Sequence, residues 1–294
     1  MANQTQQLSA GAAGTISLGS LTVHRLGYGA MRITGSGIWG PPKDRQGAID
    51  VLRRAVELGV NFIDTADSYG PDVSEEIIGE ALSPYAPGVI IGTKAGWKRA
   101  GPNQWTHDAS PANLRQALEG SLRRLRLERI DLYQLHIPDP AVSFDASMDT
   151  LAALQAEGKI RHIGLSNVTR EHVERARKIV PIVSVQNRYS FADREWDYLL
   201  DYCEQNGIAF MPWAPIRAVP GTQSVLEGIS RAHGVSHMTV ALAWLLRRSP
   251  STLLIPGTTS IQHLEENISA ASLELSADEF QQLSACAFPP ASLR

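Results

Sequence analysis

The sequence predicts an α/β fold: a closed parallel (β/α)8, or TIM, barrel with a short N-terminal β-hairpin. Three observations carry the prediction. Eight short apolar runs occur, at 26–31, 60–65, 89–94, 130–136, 162–166, 182–186, 208–213 and 252–256. Runs this short and apolar suit strands buried on both faces. Helical patterns lie between them, and such alternation within 294 residues fits a closed barrel. The competitor, a doubly wound open sheet, usually opens with a G-x-G-x-x-G phosphate turn. Here Gly27-Tyr28-Gly29-Ala30-Met31-Arg32 lacks that spacing.

The elements follow in order. Residues 1–14 are small and polar, without Lys, Arg or an apolar run, so they read as a flexible tail and not a secretory leader. Residues 15–294 read as one domain. The 17–23 stretch predicts a hairpin with a Gly19-Ser20 turn, plugging the barrel bottom. Asp44 caps a helix whose Ile49, Leu52 and Val56 share a face, and Gly59 stops it. Ser110-Pro111 is a cap followed by proline at the first helical position, leading through Leu114, Leu118 and Leu122. Met148, Leu151 and Leu154 mark a helix ended by Gly158. Val173, Ala176 and Val180 mark another before Pro181, and Leu199 and Tyr202 one ending near Gly207. Residues 238–246 form an apolar helix and 260–270 an amphipathic one.

Charge narrows the function. The 27 Lys+Arg and 30 Asp+Glu leave −3, which offers no electrostatic footprint for nucleic acid or an anionic membrane. No apolar run reaches the ~18–20 residues of a membrane span. Cys203 and Cys286 stand far apart, outside any metal-ligand spacing, and suit a reduced compartment. The expectation is a cytoplasmic protein acting on a small molecule, with no metal; nothing specifies an oligomeric state.

In such a barrel the active site lies at the C-terminal ends of the strands. There the sequence delivers Asp64 with Tyr69 following, then Lys94, His136, Ser166-Asn167, Gln186-Asn187, Trp213 and the turn at 256–260. Each alone has a bland reading: Asp64 as a cap, Lys94 as a snorkelling lysine, His136 and Trp213 as core. Unrelated structural needs would not place them all at equivalent strand ends. A free phenol, with a pKa of about 10, is a poor acid at neutral pH. A nearby lysine would lower that value, and Asp64 would hold the lysine charged. His136 would donate a hydrogen bond to a carbonyl oxygen that Tyr69 protonates, catalysis worth roughly 10²–10⁴-fold. Nothing in this set supplies a reductant, so a cofactor is needed. Ser166, Asn167 and Gln186 match a carboxamide, and Trp213 offers a flat face for an aromatic ring. The 256–260 turn precedes a helix starting near Ser260, whose N–H groups suit a phosphate.

These residues also resemble a known family. Asn61-Phe62-Ile63-Asp64-Thr65-Ala66-Asp67-Ser68-Tyr69-Gly70 is similar to the aldo-keto reductase signature around its catalytic Asp and Tyr. Gly92-Thr93-Lys94, Ile130-Asp131-Leu132-Tyr133-Gln134-Leu135-His136 and Gly158-Lys159-Ile160-Arg161-His162-Ile163-Gly164-Leu165-Ser166-Asn167 resemble later family segments, as do Val185-Gln186-Asn187, Ile255-Pro256-Gly257 and Glu265-Glu266-Asn267. The resemblance covers roughly residues 18–285 and implies an NADPH-dependent reductase of aldehydes and ketones, with NADH as the alternative cofactor. It makes Tyr69 the proton donor, tuned by Lys94 and Asp64, with His136 orienting the carbonyl. It makes Ser166, Asn167 and Gln186 the carboxamide contacts and Trp213 the nicotinamide stack. It also implies that Asp64 would touch the nicotinamide ribose and that Glu266 and Asn267 would bind the adenine end. Met31, Pro215, Ile216, Arg217, Gly257, Thr258, Thr259, Ser260 and His263 complete the expected cofactor set.

There are departures. Many members carry Lys and Arg at the places of Gly257 and His263 to grip the 2′-phosphate of NADPH, and no lysine follows Lys178. Trp213 stands where a tyrosine is common. Residues 35–42 and 133–136 resemble bacterial members related to pyridoxal reductases, with Tyr28, Trp39, Trp97 and Trp105 as candidate pocket walls for a planar aldehyde. The rival readings are a Schiff-base aldolase acting through Lys94 and a cofactor-binding regulatory subunit of the same fold.

Overall fold

The structure is a computed structural model describing residues 8–215 and 223–286. The chain runs β1 (Thr15–Leu18), β2 (Leu21–His24), β3 (Tyr28–Gly29), α1 (Arg45–Glu57), β4 (Phe62–Asp64), α2 (Val73–Leu82) and β5 (Ile90–Ala95). It continues with β6 (Trp97–Gly101), β7 (Gln104–His107), α3 (Pro111–Leu125), β8 (Ile130–Leu135), α4 (Phe144–Ala156), β9 (Ile160–Ser166) and α5 (Arg170–Ala176). Then come β10 (Ile182–Arg188), α6 (Asp197–Gln205), β11 (Ala209–Trp213), α7 (Gln223–His233), α8 (His237–Arg248), α9 (Ile261–Ser269) and α10 (Ala277–Ala285).

The local signals act as their chemistry dictates. The Asp44 carboxylate accepts from the Gly47 N–H at the start of α1, and Gly59 follows the helix at φ +83°. Ser110 accepts from the Asn113 N–H, with Pro111 at the first helical position. Ser260 caps α9 through the His263 N–H. Helix α2 carries no such signature: Asp72 precedes it at φ +70° without a side-chain cap bond, so pattern reading missed it. Reading also missed α7, α10 and the β6–β7 hairpin. Within the expected tail of 1–14, Ala10–Ala13 instead forms a 3-10 turn capped by Ser9, with Ala10 buried and donating to the Leu58 carbonyl at 2.8 Å. Residues 1–7 lie outside the described residues.

Seven strands form one parallel sheet in the order β11-β10-β9-β8-β5-β4-β3. The 251–254 segment runs between its two edges. The Phe210 N–H donates to Ser251 at 2.8 Å and the Leu253 N–H to Phe210 at 2.9 Å. The Leu254 N–H donates to Arg25, and the Gly27 N–H to Leu254, both at 2.8 Å. The run expected at 252–256 is thus reduced to isolated parallel bridges, Phe210–Thr252 and Leu26–Leu254. Proline 256 has no N–H with which to extend the ladder. The run expected at 26–31 shrinks to β3 and turns at once into a 3-10 helix, Ala30–Ile33.

Strand alternation sorts the apolar side chains into two cores. Phe62, Ile90, Leu132 and Met211 cluster with Leu18, Leu21 and Val23 of the antiparallel β1–β2 hairpin. Their neighbours Ile63, Ile91, Tyr133 and Phe210 join the larger core with helix residues such as Leu52, Ile78, Leu118 and Trp244. The face shared with the hairpin is the inner face below. No helix among the described residues is long and apolar enough to cross a membrane.

Two glycines let β3 meet the 255–257 segment. A Cβ on Gly29 would lie 2.4 Å from the Ile255 carbonyl oxygen, and one on Gly257 would lie 2.4 Å from that of Gly29. Gly29→Ala should therefore destabilise the protein by about 1–3 kcal/mol, as overpacking does. Thermal unfolding checks this; an unchanged midpoint would contradict the close approach.

Candidate active site

The inner-face parity that begins with apolar residues ends with polar ones. Two residues after Phe62 stands Asp64, four after Ile90 stands Lys94, four after Leu132 stands His136, and two after Met211 stands Trp213. Parallel strands bring these ends together. The Lys94 ammonium donates to Asp64 Oδ2 at 2.7 Å and to the Thr65 carbonyl at 2.8 Å. The side chains of Lys94 and Asp64 are 0% and 3% exposed. Gln186 Nε2 donates to Asp64 Oδ1 at 3.0 Å and Gln134 Nε2 at 3.3 Å, so the carboxylate gathers three donors. Burial pulls the Lys94 pKa down, while Asp64 opposes that pull. Lys94 holds Asp64 and a carbonyl from full burial, a poor pose for a Schiff-base nucleophile.

Tyr69 reaches this pair from the loop after β4. The Thr65 N–H donates to Gly92 at 2.8 Å, Asp67 to Lys94 at 3.2 Å and Tyr69 to Ala66 at 3.2 Å. The Tyr69 ring is 7% exposed, its centroid 5.3 Å from Lys94 Nζ and 5.8 Å from the His136 ring, which it meets edge-on. Burial raises the Tyr69 pKa above its ordinary value, and Asp64 and Asp67 push the same way. This corrects the expectation that Lys94 lowers it: Asp64, at 2.7 Å, already balances the ammonium charge. Tyr69 is thus a neutral phenol. His136 is buried, and desolvation followed by the Lys94 charge holds its pKa well below the usual value. The imidazole is thus neutral, and Ser68 Oγ lies 3.4 Å from its Nδ1.

The remaining strand ends form a connected polar rim. Ser166 Oγ donates to the Gln186 carbonyl at 2.9 Å. Asn167 Nδ2 donates to the His136 carbonyl at 3.0 Å and to Ser166 Oγ at 3.1 Å. Trp213 Nε1 donates to Asn167 Oδ1 at 3.2 Å, and the indole remains 37% exposed. Further round, the Ser260 N–H donates to Thr258 Oγ1 at 3.0 Å, while Gly257, Thr259 and His263 are exposed. Met31 and Pro215 are half-buried, Asn267 is buried, and Glu266 accepts from Gln262 at 3.1 Å. Ile216 and Arg217 lie outside the described residues. Tyr28 is corrected: it is fully buried, and its hydroxyl donates to the Thr258 carbonyl at 2.5 Å. It ties the end of β3 to the 257–260 loop. The Gln186 amide group donates inward to Asp64, a use that strand-end reading did not foresee.

The β6–β7 hairpin brings aromatics over the rim. The Trp97 ring lies 6.4 Å from that of His136, 4.6 Å from His107 and 5.7 Å from Trp105. Trp105 and Trp39 flank Arg99, with the guanidinium carbon 3.7 Å and 5.8 Å from their centroids. Arg99 is the residue that sequence reasoning missed. It donates to the carbonyls of Ile38 (2.7 Å), Gly37 (2.8 Å) and Gln104 (3.1 Å), and to Ser68 at 3.1 Å, beside Tyr69. One side chain thus joins the hairpin, the 37–38 loop and the tyrosine loop. Its only signal was a cation between tryptophans.

Removing one partner of a buried pair leaves a charge uncompensated, at about 3–5 kcal/mol. Lys94→Met should lower the denaturant midpoint accordingly, and adding Asp64→Asn should recover part of the loss. A single variant as stable as the parent would contradict the burial of this pair.

The family model described as "Aldo/keto reductase family" matches residues 25–287. An uncharacterised oxidoreductase of Schizosaccharomyces pombe is 48% identical over 280 residues, covering 94% of this chain and 90% of that protein. A pyridoxine 4-dehydrogenase of Escherichia coli is 46% identical over 276 residues, covering 92% and 96%. A crystal structure of an aldo-keto reductase from Klebsiella pneumoniae in complex with NADPH matches with a TM-score of 0.78 at 28% identity, covering 92% and 93%. With its strand-end tetrad and these relatives, the chain belongs to the aldo/keto reductase family and is an oxidoreductase.

Proposed function

We propose that the protein reduces the aldehyde of pyridoxal, or of a similar planar aromatic aldehyde, with NADPH. The observation that carries this reading is Tyr69: a buried neutral phenol between the Lys94–Asp64 pair and a neutral His136. The 46% identity to a pyridoxine 4-dehydrogenase supports the substrate. So does the Trp97 ring near His136, a flat apolar wall for a planar ring.

The residues fit the cofactor. A side chain at Gly257 would collide with Gly29, so the loop stays open to a phosphate beside the capped start of α9. Ser166, Asn167 and Gln186 would hold the carboxamide, and the exposed Trp213 face would stack on the nicotinamide. Glu266 and Asn267 would meet the adenine end. Bound NADPH supplies the hydride. His136 orients the substrate carbonyl by hydrogen bonding without carrying charge. Tyr69 gives its proton to the carbonyl oxygen as negative charge develops there. Lys94 stabilises the phenolate left behind, and Asp64 with its glutamine donors keeps Lys94 in place. The aromatic cap over the rim excludes water.

The fold is read as a single domain and a closed eight-strand barrel, with 251–254 as the eighth strand and the β1–β2 hairpin plugging its lower end. The hydrogen bonds from 251–254 to both sheet edges support closure. A cytoplasmic location suits Cys203 and Cys286, both free thiols.

NADPH oxidation should depend on pyridoxal, and Tyr69→Phe should lower turnover roughly 10²–10⁴-fold while leaving NADPH affinity nearly unchanged. Absorbance of the reduced cofactor reads both proteins; equal turnover would remove Tyr69 as the acid. The pH profile follows from the signs. An acid works below its pKa, so a raised Tyr69 value keeps reduction intact until above the ordinary 10.0. A depressed His136 value keeps the imidazole neutral down to well below 6.5. The rate of pyridoxal reduction should therefore be level between these limits; a loss centred inside them would contradict the assignment.

A further inference from the structure

We infer that Arg32 is the cation that meets the 2′-phosphate of NADPH, an inference that rests on the reading of 257–263 as the phosphate end of the cofactor site. The family's usual cations are missing there, with Gly257 and His263 in their places. A side chain cannot simply be restored at 257, because its Cβ would lie 2.4 Å from the Gly29 carbonyl oxygen. The same Cβ would lie 3.5 Å from Arg32 Cγ. Arg32 therefore runs alongside the bare loop, close to where a side chain at 257 would start.

Arg32 reaches this place through local structure. The chain leaves β3 at Gly29 and turns into the 3-10 helix Ala30–Ile33, whose last turn carries Arg32 on the exposed side. Buried Ala30 and Ile33 anchor that turn, and Tyr28 ties the preceding strand to Thr258. The backbone under Arg32 and the phosphate loop are thus held together.

Its lack of partners is the second observation. Among the described residues Arg32 has no ion pair and no side-chain hydrogen bond. Arg45, Arg54 and Arg175 are held by Glu80, Glu265 and Asp145, whereas Arg32, like the exposed Arg123, is unpaired among the described residues and is set apart by its place beside residue 257. On α9 itself, Glu265 is taken by Arg54 and Glu266 accepts from Gln262. Arg32 stands beside an uncharged loop with exposed Thr259 and His263 and the N-terminal N–H groups of α9. A guanidinium offers paired donors that match two phosphate oxygens, and it stays charged at every working pH. NADH carries a hydroxyl in place of that phosphate, so the contact would separate the two cofactors.

The test is binding, read by quenching of tryptophan fluorescence, for NADPH, NADH and adenosine 2′,5′-bisphosphate. Arg32→Gln should weaken NADPH and the bisphosphate about tenfold, as loss of one charge-assisted contact does, and leave NADH within about twofold. Arg32→Lys should restore part of the difference. Equal weakening of NADPH and NADH would move Arg32 to the shared pyrophosphate and overturn the inference, as would unchanged binding of all three. If the unaltered protein itself fails to bind NADPH and the bisphosphate, the reading of 257–263 falls, and the inference with it.

Discussion

The site depends on one buried ion pair. Lys94 and Asp64 meet at 2.7 Å with almost no exposure. Neither charge would survive there alone, because desolvation in the interior outweighs what an unpaired ion gains. The pair is held by its surroundings: the Thr65 carbonyl accepts a second hydrogen bond from Lys94, and Gln134 and Gln186 donate to the other carboxylate oxygen. These donors come from β8 and β10, so the pair ties four strands at one end of the sheet. The Tyr69 ring lies 5.3 Å from the ammonium, so the proton transfer proposed for Tyr69 would occur beside a fixed positive charge.

Alternation along the strands explains why the pair is there at all. The inner face needs apolar side chains where the hairpin packs and tolerates polar ones at the other end. The same parity that places Phe62, Ile90, Leu132 and Met211 on the hairpin places Asp64, Lys94, His136 and Trp213 on the rim. The hairpin end is therefore apolar and packed, and the rim is the end at which the proposed chemistry is set. The glycine pair at 29 and 257 belongs to the same division, bringing the 28–32 segment against the 257–260 loop.

Much of this was legible because the signals are local. Short β-branched runs, Asp44, Ser110-Pro111 and Gly59 each act within a few residues, and the structure uses them as read. The tetrad was legible because strand ends are countable. What stayed hidden was non-local or unsigned. Helix α2 starts from a left-handed Asp72 without a cap. The Gln134 and Gln186 donors and the Arg99 clamp depend on contacts across 31 to 122 positions. Tyr28 looked like a pocket wall because it is aromatic at a strand end, but its hydroxyl has a carbonyl to satisfy and the ring is buried with it. The direction of the Tyr69 shift was misjudged because burial is invisible in sequence, and so is the neutralisation of Lys94 by its partner.

The most direct test of the central claim is to follow the transferred hydrogen. NADPH carrying deuterium at the transferable C4 position would be mixed with pyridoxal and the purified protein, and the product alcohol weighed and its label located. The account predicts a product one mass unit heavier, with deuterium on the former aldehyde carbon, and roughly 10²–10⁴-fold less of it from the Tyr69→Phe protein in the same time. An unlabelled product, or a substrate adduct on Lys94 trapped by borohydride, would contradict it.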